Sequence, residues 1–514
     1  MIERTRLPRP AELLLAVLAG LAIGAGQPPL GLWPLTMLGL ALTTWLVAGM
    51  SRRAAFGHGY LLGLAMNVLT ISWISVLGVP VAAALIAYSS LWSALAALVI
   101  RCVLRLPGWP VWVAMTWVAT EFVSGRWPFG GFAWTRLAFT TVDQPLAGYL
   151  PGVGAAGVGL LVAWLSQLLL SRARLRAAAV LVVAFAVGGA LLLVPPGEPE
   201  QRVTVAAVQP NVNRHEYGGP RYATAVTNNA LSATVIAMAE ARTQGREVDV
   251  VLWPESASDH DPLRDDEARR SVDLSAKLAG APVLVGAVTI PDDPPDSRQT
   301  TGLVWDPATG PGDRYHKRNL VPFGEWIPFR DVLLPRFPIL RLTGRQSVPG
   351  EGPGVLDVPT ARHPSLRIGD VICFELAYDD TVHDVVRGGA TVVVSQSNEN
   401  TYAGTAQIAQ QLAMNRVRAK ELRREIVVST LNSVSGWVDA RGRLHEPSDE
   451  FEGAARVVDV PLRYRATPAV TVGPLISRLS TAAVVGALLA LALGHVRERG
   501  KLARTKRNEV PNVR

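Results

Sequence analysis

Apolar residues form long runs in the first 195 positions and again near the C-terminus, whereas short apolar segments alternate with polar ones between them. Eight of the long runs approach the roughly 20 residues that a helix needs to cross a bilayer. These predicted spans are residues 11–28, 30–50, 57–77, 80–104, 108–124, 145–170, 176–195 and 472–495. The pattern therefore predicts a polytopic α-helical membrane domain, a folded middle region and one final span.

The middle region has the pattern of an α/β fold. Apolar segments rich in β-branched residues begin near positions 203, 249, 281, 366, 391 and 425, and "WDPATGPGDRY" predicts a hairpin. Helical patterns lie between several of them, at 221–243, 262–279 and 404–423. Strands that alternate with helices are typical of α/β domains, whose functional groups gather at the strand ends.

Composition and charge support a membrane protein. Hydrophobic residues make up 49% of the 514 positions and charged residues only 18%, a balance that is uncommon in soluble proteins. Before position 197 the only acidic residues are Glu3, Glu12, Glu121 and Asp143. The net charge of +8 is therefore explained by loops facing anionic lipid, and we predict no nucleic-acid partner.

Basic residues in short loops predict the orientation, because Lys and Arg stay on the cytoplasmic side. They cluster in alternate loops, before the first run, at Arg52 and Arg53, at Arg101 and Arg105, and from Arg172 to Arg176. Both termini are then cytoplasmic, and the first run is an uncleaved span. The predicted units are a membrane domain (1–196), an extracytoplasmic catalytic domain (197–468), a C-terminal helix (469–496) and a basic cytoplasmic tail (497–514).

Three predicted strand ends carry reactive side chains: Glu255 in "WPES", Lys317 in "YHKRNLVPFGEWIPF" and Cys373 in "VICFE". Each alone is more often a core or surface residue, as free cysteine usually is. Together they supply a base, a cation for a developing oxyanion and a nucleophile, as acyl transfer through a thiol requires. A position between a strand and a helix is also expected to favour the Cys373 thiolate.

These segments resemble the nitrilase, or carbon–nitrogen hydrolase, superfamily, and with the flanking spans the chain resembles the apolipoprotein N-acyltransferase family. "KRNLVPFGEWIP" is the most specific segment. The resemblance implies that Glu255 is the general base, that Lys317 stabilises the tetrahedral intermediate and that Cys373 is acylated. It also implies that Glu325 and Glu375 support these three residues.

The same resemblance implies a four-layer αββα sandwich and a ping-pong cycle in the bacterial cytoplasmic membrane. The thiol would take an acyl chain from a phospholipid and deliver it to the amine of a diacylglyceryl-cysteine apolipoprotein. No cofactor is implied, and the eight scattered histidines predict no metal site.

Three positions depart from the family pattern. "SNENTYAG" (397–404) stands where the family commonly has "SNDAWFG", Phe374 stands where Tyr is common, and Pro210 replaces a Gly. None of these changes removes Glu255, Lys317 or Cys373. They bear on substrate contacts more than on the class of reaction.

Three further segments have alternative interpretations. "GVGAAG" (152–157) matches a dinucleotide pattern without its strand and acidic residue, so close helix packing is expected. Glu121 is either part of a lipid headgroup site or, as we expect, an interfacial partner of Arg126. "LLPRFPILRL" (333–342) is either a loop that dips into lipid or an ordinary packed loop.

Two other functions remain open at this point. A membrane-anchored amide hydrolase would use the same three side chains with water as the acceptor. A non-catalytic scaffold or transporter, for instance one that partners a lipid-linked sugar transferase, would tolerate replacement of Cys373 by alanine.

Overall fold

The N-terminal part of the protein is a bundle of seven α-helices. The structure, a computed structural model, describes residues 7–212 and 222–508. The helices are α1 (Arg9–Ala25), α2 (Trp33–Val47), α3 (Arg52–Ile71), α4 (Val79–Val103), α5 (Trp109–Ser124), α6 (Leu150–Leu168) and α7 (Arg174–Leu193). Each of the first seven predicted spans coincides with one of them, and the eighth coincides with α13 (Ala469–Asn508).

Among the described residues, five helical segments are long and apolar enough to cross a membrane. They are Arg52–Leu77, Val79–Val103, Pro145–Leu168, Arg174–Leu193 and Ala469–Gly494. The other three, α1, α2 and α5, have 17, 15 and 16 residues, which is short for a hydrocarbon core of about 30 Å at 1.5 Å per residue. The count of eight spans stays a prediction. The positions of Arg4 and Arg6 and of residues 509–514 in the tail lie outside the described residues.

The middle region folds as two six-stranded sheets. The first has the order β12-β1-β2-β3-β4-β5 and the second the order β11-β10-β9-β8-β7-β6. The strands are β1 (Gln201–Gln209), β2 (Val250–Leu252), β3 (Val283–Thr289), β4 (Gln299–Asp306), β5 (Gly310–His316), β6 (Val355–Asp357), β7 (Arg367–Ile372), β8 (Val392–Ser397), β9 (Ile426–Thr430), β10 (Gly436–Val438), β11 (Leu444–His445) and β12 (Ala454–Leu462). All six strands predicted from apolar segments and the predicted hairpin, β4–β5, are present.

The sheets pack face to face, with helices on both outer surfaces. Alternate residues of β1, β7, β8 and β9, for example Val205 and Val394, form the core between the sheets. Helices α8 (Tyr222–Thr243) and α9 (Asp266–Ala279) cover the first sheet, and α11 (Asp379–Arg387) and α12 (Ala406–Leu422) cover the second. A short helix, α10 (Arg330–Leu333), lies in the connection before β6. The predicted αββα sandwich is therefore confirmed.

Helix α6 kinks where "GVGAAG" was expected to serve close packing. Gly154 has a φ of +68°, and a Cβ atom there would lie 2.9 Å from Glu421 Oε1 and 3.2 Å from the Cα of Gly473 in α13. A side chain larger than hydrogen is thus excluded by both backbone conformation and space. The packing interpretation is confirmed, and the kink frees the backbone N–H of Ala155 to bind Glu421 Oε1 at 2.9 Å.

Polar contacts fix the sandwich on the helical bundle. Arg136, in the connection between α5 and α6, donates to both carboxylate oxygens of Asp379 at 2.5 and 3.1 Å. The indole N–H groups of Trp73 and Trp134 donate to Gln410 Oε1 at 3.0 and 2.6 Å. Since Asp379 begins α11 and Gln410 lies in α12, the second sheet and the end of β7, which Cys373 follows, face the bundle.

Candidate active site

Cys373 occupies a sharp turn at the end of β7. It is the first residue of a 3₁₀ helix, Cys373–Ala377, and its φ is +52°, in the left-handed region. A non-glycine residue held there costs on the order of 1–3 kcal/mol, and such strain concentrates at functional sites. The turn leaves the cysteine partly exposed while the residues after it are buried.

Glu375 holds this turn in place. Its Oε1 accepts hydrogen bonds from the Tyr315 hydroxyl at 2.8 Å and from the backbone N–H groups of Arg318 and Asn319 at 2.8 and 3.1 Å. Its Oε2 accepts one from the N–H of Ile372 at 3.0 Å. One buried carboxylate thereby ties the segment that carries Cys373 to the segment that carries Lys317.

Lys317 follows β5 and lies between two carboxylates. Its Nζ donates to Glu255 Oε1 at 3.0 Å and to Glu325 Oε1 at 2.9 Å. Burial alone would lower the pKa of this ammonium group, but the two carboxylates raise it well above the ordinary lysine value. Lys317 is therefore a permanent buried cation at neutral pH.

The two carboxylates are held by backbone donors of their own. Glu255 Oε2 accepts from the N–H of Asn398 at 2.7 Å, and Glu325 Oε2 accepts from the N–H of Val321 at 2.7 Å. Glu255 follows β2 and Asn398 follows β8, so the site bridges both sheets. All five residues predicted from sequence are brought together in one site.

The free thiol of Cys373 is held protonated. Burial raises its pKa well above the ordinary value, the charge of Glu255 raises it further, and Lys317 only partly offsets these two effects. The expectation of a thiolate-favouring position is therefore wrong for this chain. Desolvation and a neighbouring carboxylate outweigh the few N–H groups of a short 3₁₀ helix.

Two family models match the chain: the apolipoprotein N-acyltransferase N-terminal domain over residues 19–168 and carbon–nitrogen hydrolase over residues 204–464. A curated apolipoprotein N-acyltransferase of Mycolicibacterium smegmatis is 32% identical over 97% of this chain and 88% of its own length. The chain belongs to the apolipoprotein N-acyltransferase family. It is accordingly an acyltransferase of a bacterial membrane.

Other proteins are similar to this chain at lower identity. The apolipoprotein N-acyltransferase of Vibrio parahaemolyticus is 24% identical over 91% of this chain and 94% of its own length. Among solved structures, Saccharomyces cerevisiae Nit3, a nitrilase-superfamily member, covers 51% of this chain and 91% of its own at 15% identity, with a TM-score of 0.38.

An aromatic cluster joins the turn that carries Cys373 to the membrane part of this N-acyltransferase. The ring of Phe374 stacks on Phe132 and Trp134 at centroid distances of 5.8 and 6.0 Å and meets Tyr378 edge to face at 5.1 Å. Phe374 therefore keeps the aromatic packing at its position without a hydroxyl.

The segment "SNENTYAG" also keeps an aromatic contact despite its departure from the family pattern. Tyr402 meets Trp73 of the helical bundle edge to face at 5.2 Å. The departure at Thr401 thus does not leave this part of the interface without an aromatic side chain.

Glu399 in the same segment was not anticipated as part of the site. Its side chain is buried, and burial together with the charge of Glu255 raises its pKa to about 8, although Ser433 opposes the shift. Its charge also acts on the Cys373 thiol. Only the glutamate in an unusual "SNEN" context could have pointed to it in the sequence.

The raised pKa of Glu399 predicts a specific pH dependence of stability. The folded state keeps a proton that the unfolded chain releases near pH 4.5, so wild-type stability is full below that pH and is lost as pH rises through about 8. We expect Glu399→Gln to abolish this decline, which is worth about 1.4 kcal/mol for each unit of pKa difference. Thermal unfolding at pH 5, 6.5 and 8 measures it.

Glu247→Gln is the matched control for that prediction, because Glu247 is exposed. Glu247→Gln should keep the wild-type pH dependence of stability. If Glu399→Gln keeps it as well, Glu399 is ionised in the folded protein and the prediction is wrong.

The part of the chain that the structure describes contains no cluster of potential metal ligands. No group of three or more His, Cys, Asp or Glu side chains there is arranged to hold a metal ion.

Proposed function

We propose that this enzyme moves a fatty acyl chain from a membrane phospholipid, through a thioester on Cys373, to the α-amine of a diacylglyceryl-cysteine apolipoprotein. The observation that carries the proposal is the Lys317 ammonium, held between Glu255 and Glu325 beside a strained, partly exposed thiol. The names of the curated relatives support the choice of acceptor.

In the first half of the cycle, Glu255 takes the proton of the Cys373 thiol as the sulfur attacks an ester carbonyl of the phospholipid. The oxyanion that forms is stabilised by the Lys317 ammonium. The lysophospholipid alkoxide then leaves with the proton from Glu255, and the acyl chain remains as a thioester. General-base assistance is required because the pKa of the free thiol is raised.

In the second half, the amine of the acceptor attacks the thioester carbonyl. Glu255 takes a proton from the amine nitrogen, and Lys317 again stabilises the oxyanion. Collapse of the intermediate forms the amide, and the departing sulfur recovers the proton as a thiol. Glu325 and Glu375 act as positioning residues, the first by holding Lys317 and the second by holding the nucleophile turn.

The proposed topology retains the sequence-based units 1–196, 197–468, 469–496 and 497–514. It places eight spans in the cytoplasmic membrane, with the catalytic domain outside and both termini inside. The alternation of basic loops supports it. So do the contacts of Arg136, Trp73 and Trp134 with α11 and α12, which set the site against one end of the bundle.

Product analysis distinguishes this transferase from a hydrolase with the same side chains. The full-length enzyme is incubated with a phospholipid of two different acyl chains and a diacylglyceryl-cysteine peptide. We expect N-acylated peptide and lysophospholipid in equal amounts. Free fatty acid as the main product, at an unchanged rate without peptide, would refute acyl transfer to the amine and identify a hydrolase.

A further inference from the structure

A second polar site lies inside the helical bundle, away from Cys373. A cavity of about 70 Å³ is formed between helices α1, α3, α4 and α5 and the segment that follows α5. A single water occupies about 10–15 Å³ by this kind of measure, so the cavity has room for a small polar group. Its wall includes Asn67, Ser89, Trp117, Glu121 and Phe132.

Three polar atoms on this wall have no hydrogen-bond partner: Ser89 Oγ, Trp117 Nε1 and Glu121 Oε2. Trp117 is only 6% exposed. An unpaired buried polar atom costs on the order of 1–3 kcal/mol, so native proteins seldom leave several together. Ser89 Oγ and Glu121 Oε2 can accept hydrogen bonds, and Trp117 Nε1 donates one. A ligand that satisfies all three therefore carries both donor and acceptor groups.

Glu121 does not form the expected ion pair with Arg126. Arg126 binds Asp380 at 2.7 Å instead. Glu121 Oε1 accepts the N–H of Leu137 at 2.7 Å, and its Oε2 lies 3.7 Å from Arg136 Nε, beyond hydrogen-bonding distance. The terminal nitrogens of Arg136, Nη1 and Nη2, already donate hydrogen bonds to Asp379.

Glu121 lies at the edge of a network of charged side chains. Arg136 contacts Glu121 and Asp379, and Arg418 contacts Asp379 at 2.8 Å and Glu421 at 2.5 Å. The His383 imidazole lies 3.1 Å from Glu421, at the end of the network away from Glu121. The pKa of Asp379 is lowered well below its usual value, since Arg136 and Arg418 outweigh its burial. Arg136 therefore pairs mainly with the ionised Asp379 carboxylate and only weakly with Glu121.

The chemistry at the cavity favours an organic cation over a metal ion or an anion. Glu121 is the one carboxylate among the residues that line the cavity, which is too little negative charge for a typical divalent-cation site, and a carboxylate repels an anion. The rings of Tyr88 and Trp92 also line the cavity, and aromatic faces attract ammonium groups. Trp127, which packs edge to face on Trp92 at 6.1 Å, is exposed, and Trp and Tyr are enriched at the depth of lipid headgroups.

We infer that this cavity binds the ammonium end of a phospholipid headgroup, with Glu121 as its counter-ion and Ser89 as a second acceptor. The Trp117 N–H is then free to donate to an oxygen of the same lipid. Phe132, on the cavity wall, stacks on Phe374 beside the nucleophile, so the bound lipid supports the surface on which the nucleophile turn packs. The site is distinct from Cys373 and does not depend on its chemistry.

The test measures lipid retention by the full-length Cys373→Ala protein, in which no acyl chain can be consumed. Native mass spectrometry compares phosphatidylethanolamine with phosphatidylglycerol of identical chains. We expect the ethanolamine lipid to be retained about tenfold better, as loss of a charge-assisted hydrogen bond predicts. Adding Glu121→Gln, which keeps an acceptor for Leu137, should remove this preference.

Matched variants separate the site from general effects on the bundle. Glu12→Gln, which changes another carboxyl group of the membrane part, should keep the preference. Trp117→Phe, which keeps a ring but loses the unpaired N–H, should weaken retention of the ethanolamine lipid if Glu121→Gln does not fold. Equal retention of both lipids by the parent protein, or an unchanged preference in folded Glu121→Gln, would overturn the inference.

Free ethanolamine distinguishes the source of the ammonium group. Binding of free ethanolamine that Glu121→Gln abolishes, without any preference between the two lipids, would identify a site for a small soluble amine and overturn the lipid assignment. A lipid preference that millimolar ethanolamine does not displace would support it.

Discussion

Replacing Cys373 with alanine is expected to abolish acyl transfer, with a loss of at least about 10⁴-fold, because the alternative acceptors near Lys317 are carboxylates already bound to it. Cys373 is one of only two cysteines in the chain, and the other, Cys102, lies in α4 of the helical bundle. The measurement is the rate of formation of N-acylated peptide by the purified enzyme.

Cys102→Ala is the matched control and should retain wild-type activity, since Cys102 contributes nothing to the site. Activity of Cys373→Ala within tenfold of wild type would contradict a thioester mechanism and favour a scaffold role or a different nucleophile.

Replacing Lys317 with methionine is expected to have the second-largest effect. The substitution removes the proposed oxyanion donor, and loss of such a donor costs about 10²–10³-fold in rate at comparable sites. It also leaves Glu255 and Glu325 facing one another without a cation, and breaking a buried ion pair typically costs about 3–5 kcal/mol. We therefore expect both a rate loss of at least about 10³-fold and a lower temperature of unfolding.

Two measurements separate these effects. Single-turnover acylation of Cys373 reports the chemical step, and thermal unfolding reports the stability. Lys277→Met is the control, because Lys277 is exposed and pairs with Asp273 on the surface of α9. A folded Lys317→Met enzyme with acylation within threefold of wild type would rule out Lys317 as the oxyanion donor.

Local sequence patterns were sufficient to predict the α/β class and the helical bundle, and the family resemblance added the αββα sandwich. Short runs rich in Val and Ile gave the strands, for example the fully buried Val392–Ser397, and long apolar runs gave the helices of the bundle. Glu255, Lys317 and Cys373 could be singled out because each follows a strand, whereas Glu325 and Glu375 followed only from the family resemblance. In the folded protein, the side chains of Glu255, Lys317 and Glu375 are all buried.

Features that depend on contacts between distant segments could not be predicted in this way. Arg126 and Arg136 are both near Glu121 in sequence. The position of α11 decides that Arg126 pairs with Asp380 and that Arg136 pairs with Asp379. The raised pKa of the Cys373 thiol and the burial of Glu399 likewise arise from the packing of both sheets around Glu255.

The most direct test of the central claim is the intact mass of the purified enzyme after incubation with a phospholipid of defined acyl chains. The account predicts a mass increase of one acyl chain on the wild-type protein, none on Cys373→Ala, and loss of the added mass when a diacylglyceryl-cysteine peptide is supplied. An unmodified mass with every phospholipid tried, or an adduct that persists in Cys373→Ala, would contradict it.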